Sequence, residues 1–84
     1  MTWNKDQIRA ARKTPLVPLL QFLGFELLPL PHGNFLVTTF EDLTVKDCFW
    51  HWPSMRLQGN SIDFFVHVTE HSFHQAMQII TECH

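Results

Sequence analysis

The spacing of apolar residues changes along the chain, and this change constrains the fold more than any other feature of the sequence. Near the C-terminus, residues 73–80 carry apolar side chains at the i, i+3, i+4 and i+7 positions of a helix. Between residues 25 and 52 the pattern instead favours short aromatic and β-branched strands separated by turn formers. The sequence therefore predicts an α+β fold, in which N-terminal and C-terminal helices flank a small antiparallel sheet.

Two helices are predicted before the sheet. Asn4 and Gln7 fit a capping box, and good helix formers follow as far as residue 13. Thr14 before Pro15 fits an N-cap with proline at the first helical position of a second helix. Gly24 fits the position just past the end of that helix, where a left-handed backbone is common.

The central strands are expected in a hairpin and a second strand pair. Residues 25–28 and 35–39 flank a segment of turn formers, residues 43–45 and 48–52 follow as strands, and residues 53–59 are predicted to be a loop. Asn60 or Ser61 then caps a helix whose core side carries Ile62, Phe65 and Val66. After a break at residues 70–71, a second capping box at residues 72–75 begins the last helix.

Length and charge limit the class of protein. The 84 residues, 45% of them apolar, suffice for one small domain (residues 1–84) and are too few for two. The formal charge of −2 argues against a protein that coats nucleic acid through a broad positive field.

Prolines and other breaks interrupt the longest apolar stretch, and no secretion signal begins the chain, so we expect a cytoplasmic protein without a membrane segment. Cys48 and Cys83 lack a framework spacing, which favours free thiols and leaves a long-range disulfide open.

Two segments carry a resemblance to a known family. Residues 58–65 read QGNSIDFF and residues 70–77 read EHSFHQAM. They resemble the end of the zinc-ribbon domain of DnaG-type bacterial primases, where Gly-Gly-Asn-x-Ile-x-Phe leads into one helix and Ser-Phe-x-x-Ala opens the next. The similarity extends over roughly residues 5–80, and its final third is the specific part. It implies a zinc-ribbon-like sheet and a role in DNA replication.

The zinc ligands of that family are missing from this chain. Its Cys-x-x-Cys pair aligns with Trp52 and Met55, and its Cys-x-x-His pair falls near Thr38 and Glu41. Trp and Met do not replace zinc-binding thiolates, so the resemblance implies a metal-free descendant without a cofactor. Similar degenerate ribbons begin the Toprim-containing primase-like proteins of plasmids, phages and other mobile elements.

Other metal or catalytic chemistry has little support in the sequence. Cys48 and His51 form a Cys-x-x-His pair, and His67 and His71 stand four residues apart, a count that suits tetrahedral zinc. However, Cys48 and His51 are predicted on opposite faces of a strand, and a helix should end between His67 and His71. The six histidines lack a paired nucleophile or acid, and no glycine-rich phosphate loop is present. We therefore do not expect an enzyme, and we assign no catalytic or metal-binding residue.

Two groups of residues are candidates for binding DNA. Arg9, Arg12 and Lys13 share one face of the first helix and could contact phosphates. Trp52 and Arg56 form the second group, since an exposed aromatic ring beside a cation can stack on bases. We expect Trp52 at an interface and Trp50 in the core, on opposite faces of their strand.

These features support two hypotheses of function. The first is a non-catalytic accessory of phage or mobile-element replication that binds single-stranded DNA or a replication protein. The alternative is a protein-binding module, such as an inhibitor of a host nucleic-acid-processing or defence complex, which would present the acidic residues Glu41, Asp42, Asp47 and Asp63. A homodimer formed through exposed apolar helix surface is also compatible with the composition.

Overall fold

The computed structural model describes residues 3–82. In this part of the chain the helices are α1 (Lys5–Arg12), α2 (Leu16–Phe22), α3 (Ser61–Asp63), which continues as a π-helical turn (Phe64–Val68), and α4 (Phe73–Glu82). The strands are β1 (Leu27–Pro29), β2 (Phe35–Val37), β3 (Thr44–Lys46), β4 (Phe49–Trp52) and β5 (Leu57–Gly59). The predicted α+β class, with terminal helices flanking a small antiparallel sheet, is confirmed.

The sheet is a simple antiparallel meander in the order β1-β2-β3-β4-β5. Successive turns therefore alternate between its two ends. The β1–β2 and β3–β4 turns lie at one end, which we call the near end, and the β2–β3 and β4–β5 turns lie at the other, the far end. The near end also receives the junction of α1 and α2, because the amide of Leu16 donates a hydrogen bond of 2.7 Å to the Asp47 carbonyl in the β3–β4 turn.

Helices cover one face of the sheet and form the core with it. Val37, Val45 and Trp50 point to this inner face and are almost completely buried. Phe64 packs edge-on against the Trp50 indole with the ring centroids 6.1 Å apart. The Trp50 indole N–H also donates a hydrogen bond of 2.9 Å to the Asn60 carbonyl, which ties β4 to the start of α3.

The predicted helix starts at Asn4, Asn60 and Ser72 are confirmed. The side chain of Asn4 accepts from the Gln7 amide at 2.7 Å, and Gln7 returns the bond to the Asn4 amide at 2.9 Å. Residues 72 and 75 exchange the equivalent pair of bonds before α4. The side chain of Asn60 accepts from two amides at the start of α3. Gly24 follows α2 with a φ of +93°, as its position predicts.

Three details of the predicted fold are wrong. Thr14 does not cap α2, since its hydroxyl donates back to the Ala10 carbonyl and Pro15 takes the cap position. The predicted loop 53–59 contains a short 3₁₀ turn (Pro53–Met55) and the edge strand β5. Trp50 and Trp52 lie on the same face of β4, because residues two apart in a strand share a face. Both pack against the core, although Trp52 is only partly buried.

Within residues 3–82, no helix is both long and apolar enough to cross a bilayer. Cys83 and His84 lie outside the described residues, and so does any disulfide to Cys83.

Candidate nucleic-acid interface

The outer face of the sheet presents a continuous row of side chains across all five strands. The register pairs Leu28 with Leu36, Leu36 with Thr44, Thr44 with His51 and His51 with Gln58. Directly paired residues of antiparallel strands point to the same face. The row therefore runs from an apolar side at β1 to a polar side at β5.

A second set of directly paired residues lies beside this row on the outer face, at the near end of the sheet. Lys46 of β3 is directly paired with Phe49 of β4, and both are exposed. Phe49 keeps 62% of its surface accessible, an unusual exposure for a side chain of this size. The methylene stem of Lys46 reaches toward Gly33 in the β1–β2 turn, where a Cβ added at Gly33 would lie 3.9 Å from the Lys46 Cε.

A shallow depression of about 700 Å³ occupies this part of the sheet. It is lined mainly by side chains of the outer face and of the near end: Asn34, Thr44, Lys46, Phe49, His51, Gln58, Asn60 and Asp63. Phe49 and His51 are two residues apart on one strand, which separates them by about 6.5 Å on the same face. The depression thus combines two adjacent aromatic rings, one cation and several amide or carboxylate groups.

Lys46 is the cation best placed to act at this depression. Between residues 3 and 82 the structure contains one ion pair, in which the exposed Arg9 and Asp6 of α1 lie 3.8 Å apart. The ammonium group of Lys46 therefore has no carboxylate partner in that range. An exposed lysine side chain without an ion-pair partner is available to bind an anion such as phosphate.

The far end of the sheet is held together by polar and aromatic contacts. The Trp52 indole N–H donates to the Glu41 carbonyl at 2.9 Å, and the Trp52 and Phe40 rings lie 5.2 Å apart. Asp42 accepts through Oδ2 from the amide of Ser54 at 3.1 Å and from its hydroxyl at 2.6 Å. We call this set of contacts the far-end clasp. It joins the β2–β3 turn to the β4–β5 turn.

The residues predicted to bind DNA lie in two separate regions. Arg9, Arg12 and Lys13 are exposed on or just after α1, which packs against α3 and α4. Lys13 precedes the junction that is bound to the near end of the sheet. Trp52 and Arg56 instead belong to the far end. Arg56 is exposed with a φ of 55°, whereas the polar edge of Trp52 is already bound to Glu41.

The alternative zinc ligands do not converge. His51 is exposed on the outer face, and His71 Nδ1 lies 2.6 Å from the Thr69 hydroxyl. Across the part of the chain that the structure describes, no group of three or more Cys, His, Asp or Glu side chains is arranged to hold a metal ion.

Phe49, His51 and Lys46 were not predicted as site residues, although the sequence contains a signal for them. Once Trp50 is assigned to the core, alternation along β4 places Phe49 and His51 on the opposite, open face. The short β3–β4 turn then sets Lys46 opposite Phe49. The incorrect assignment of Trp50 and Trp52 to opposite faces obscured this signal.

Comparison of the chain with models of protein families, with curated proteins and with solved structures finds no match. The function must therefore be inferred from the site itself and from the resemblance carried by residues 58–65 and 70–77.

Proposed function

We propose that the protein is a non-catalytic, cytoplasmic module that binds single-stranded DNA on the outer face of its sheet. The observation that carries this proposal is the aromatic pair Phe49 and His51 beside Lys46, all three of them exposed on the outer face of the sheet. Aromatic rings can stack on successive bases of a single strand, and an adjacent cation can bind the phosphate between them. In a duplex the bases are stacked on one another and unavailable for this contact.

The resemblance to primase zinc ribbons supports the same function. Trp52 and Met55 replace the second ligand pair in that alignment, and Glu41 lies near the first. The far-end clasp brings the same two turns together through the bond from Trp52 to Glu41. On this proposal the clasp takes the structural place of the metal, and the module is an accessory of replication in a phage or another mobile element.

The salt dependence of binding distinguishes a DNA site on the outer face of the sheet from a DNA site on α1. For single strands, the affinity falls with a slope of about −0.7 per neutralised phosphate, so raising salt from 50 to 200 mM should weaken a one-cation site about threefold and a three-cation site about 20-fold. A site that uses Lys46 as its only cation predicts the threefold decrease in affinity. A site formed by Arg9, Arg12 and Lys13 together predicts the 20-fold decrease.

The test is fluorescence anisotropy with labelled single-stranded and double-stranded DNA at both salt concentrations. Phe49→Ala removes an exposed ring, and Phe22→Ala removes a ring of similar exposure (68%) on α2 as a matched control. We expect Phe49→Ala, but not Phe22→Ala, to weaken single-strand binding by roughly tenfold, the effect of losing one stacked base. If only the triple change of Arg9, Arg12 and Lys13 to Ala weakens binding, the site lies on α1. Absence of binding at the lower salt concentration would contradict the proposal.

A protein partner is the second candidate function, and one observation favours it. Phe22 and Leu23 at the end of α2, and Leu28 and Leu30 in and after β1, are exposed apolar side chains. Such surfaces are enriched at protein interfaces, including those of homodimers. The acidic surface expected of a DNA mimic has weaker support. Asp42 and Asp63 are engaged in hydrogen bonds, while Glu41 and Asp47 lie in turns at opposite ends of the sheet.

A further inference from the structure

The outer face of the sheet ends at β1 in two apolar side chains. Leu28 of β1 is directly paired with Leu36 of β2, and Leu36 is paired in turn with Thr44 of β3. Leu28 keeps 48% of its surface accessible, and Leu36 is partly buried. Directly paired side chains share a face and lie about 5 Å apart, so the two leucines form a small apolar surface in the same row as His51. We call Leu28 and Leu36 the leucine pair.

The charge of the outer face favours a polyanion as its occupant. The strand residues on this face are Leu28, Leu36, Thr44, Lys46, Phe49, His51 and Gln58. None of them is a carboxylate, although the chain contains eight Asp and Glu residues. Glu26 precedes β1 and Asp63 follows β5, so these two acids flank the row and do not interrupt it. A strand of DNA that crosses from β4 to β1 therefore meets Lys46 and no carboxylate of the five strands.

The leucine pair lies within reach of a single strand that is bound at Phe49 and His51. Both aromatic residues are on β4, two strand spacings from Leu36 and three from Leu28, or about 10 and 14 Å. A stacked strand rises about 3.4 Å per nucleotide and an extended strand rises more, so about four nucleotides or fewer cover this distance. Small single-strand modules bind about 4–16 nucleotides. One strand can therefore contact the aromatic rings and the leucine pair together.

The chemistry of the leucine pair matches one base. Thymine alone among the four DNA bases carries a methyl group, at C5, and apolar side chains recognise thymine through this group. Polar groups of a base lose water on an apolar surface without gaining a hydrogen bond there. The leucine pair therefore favours the methyl edge of thymine over the edges of the other bases.

We infer that the leucine pair is a thymine subsite of the single-strand site, at which the C5 methyl group of one base packs against Leu28 and Leu36. The inference rests on the proposed function, because it assumes that a single strand lies on the outer face. It adds a base preference that stacking on Phe49 and His51 would not provide, since every base has a face for stacking. It also assigns Leu28 to DNA, whereas the second candidate function assigns it to a protein interface.

The test compares two oligonucleotides of about nine nucleotides, one of thymidine and one of deoxyuridine, by fluorescence anisotropy. They have the same charge and the same hydrogen-bonding groups, and they differ only in the C5 methyl group. We expect thymidine to bind roughly fourfold more tightly, the gain from removing one methyl group from water. This comparison uses the unmodified protein and depends on no variant.

The variant Leu28→Ser tests the assigned residue, and thermal melting verifies that it is folded. We expect the two oligonucleotides to bind this variant equally, with little change for deoxyuridine. Phe49→Ala should weaken the binding of both oligonucleotides and keep their ratio near fourfold. Leu23→Ser is the matched control, because it removes a leucine that is 37% exposed at the end of α2 and outside the sheet. It should leave both affinities and their ratio unchanged.

The outcomes distinguish the inference from the proposed function. Equal binding of thymidine and deoxyuridine, with sensitivity to Phe49→Ala, overturns the thymine subsite and leaves single-strand binding intact. A thymidine preference that survives in folded Leu28→Ser also overturns the subsite, because the methyl group would then be recognised elsewhere. Equal binding together with a change of oligomeric state in Leu28→Ser would assign the leucine pair to an interface between copies of the protein. If neither oligonucleotide binds, the proposed function and the inference both fail.

Discussion

Ser61 is a buried polar residue on which the attachment of the N-terminal helices depends. Its side chain is fully buried, and its hydroxyl donates to the Thr14 carbonyl at the α1–α2 junction. The Cys48 carbonyl of the β3–β4 turn lies 3.5 Å from the same oxygen. Ser61→Ala deletes this donor and leaves the partly buried Thr14 carbonyl without its partner, which costs about 2 kcal/mol. For a domain of this size, that loss lowers the melting temperature by about 8–16 °C.

Urea unfolding followed by tryptophan fluorescence, together with thermal melting followed by circular dichroism, measures this loss. Thr39→Val is the control, because it removes an exposed hydroxyl that has no hydrogen bond in the described part of the chain. The control should change the free energy of unfolding by less than about 0.5 kcal/mol, as is usual for surface positions. An equally small effect of Ser61→Ala would refute the role of this bond. A changed urea dependence would instead indicate an altered unfolded or native state.

Three further predictions concern the capping box, the far-end clasp and metal binding. Gly59→Ala should lower the free energy of unfolding, measured with urea, by about 1–3 kcal/mol. The reason is that the new Cβ would lie 2.5 Å from Asp63 Oδ2. Unchanged stability would contradict that close approach. Trp52→Phe keeps an aromatic ring but loses the indole N–H that donates to the Glu41 carbonyl. We expect the free energy of unfolding to fall by about 1 kcal/mol in the same assay. An unchanged free energy would show that this hydrogen bond is not stabilising. EDTA should leave the melting temperature unchanged, whereas a large decrease would mean that a bound metal contributes to folding.

The helix starts could be predicted because they are local. A capping box such as Asn4 with Gln7 requires only side chains and amides three residues apart, so the sequence contains all of its partners. The same holds for residues 72–75 and for Asn60. Gly24 is equally local, since its position after an apolar helical segment predicts the positive φ that the structure has.

Three features that depend on distant partners were not predicted. Strand β5 has only three residues, too few for a recognisable pattern in the sequence, and it forms because β4 provides its hydrogen-bonding edge. The π-helical turn brings both Phe64 and Phe65 into the core, whereas the helical spacing in the sequence predicted Ile62, Phe65 and Val66 on the core side and did not include Phe64. The candidate site depends on the register between β3 and β4, which places Lys46 beside Phe49 and cannot be read from either strand by itself.

On the proposed function, stability and DNA binding depend on different parts of this sheet, and the separation follows from its topology. The far-end clasp acts through Trp52, Asp42 and Ser54, which join two turns. Phe49 and Lys46 lie on the open face near the opposite end, where they bury little surface and contribute little to folding. Changes in the clasp should therefore lower stability while leaving the DNA affinity of the folded protein unaltered. Changes at Phe49 or Lys46 should lower the DNA affinity while leaving the stability unaltered. A variant of either group that altered both properties together would show that the two ends of the sheet are coupled.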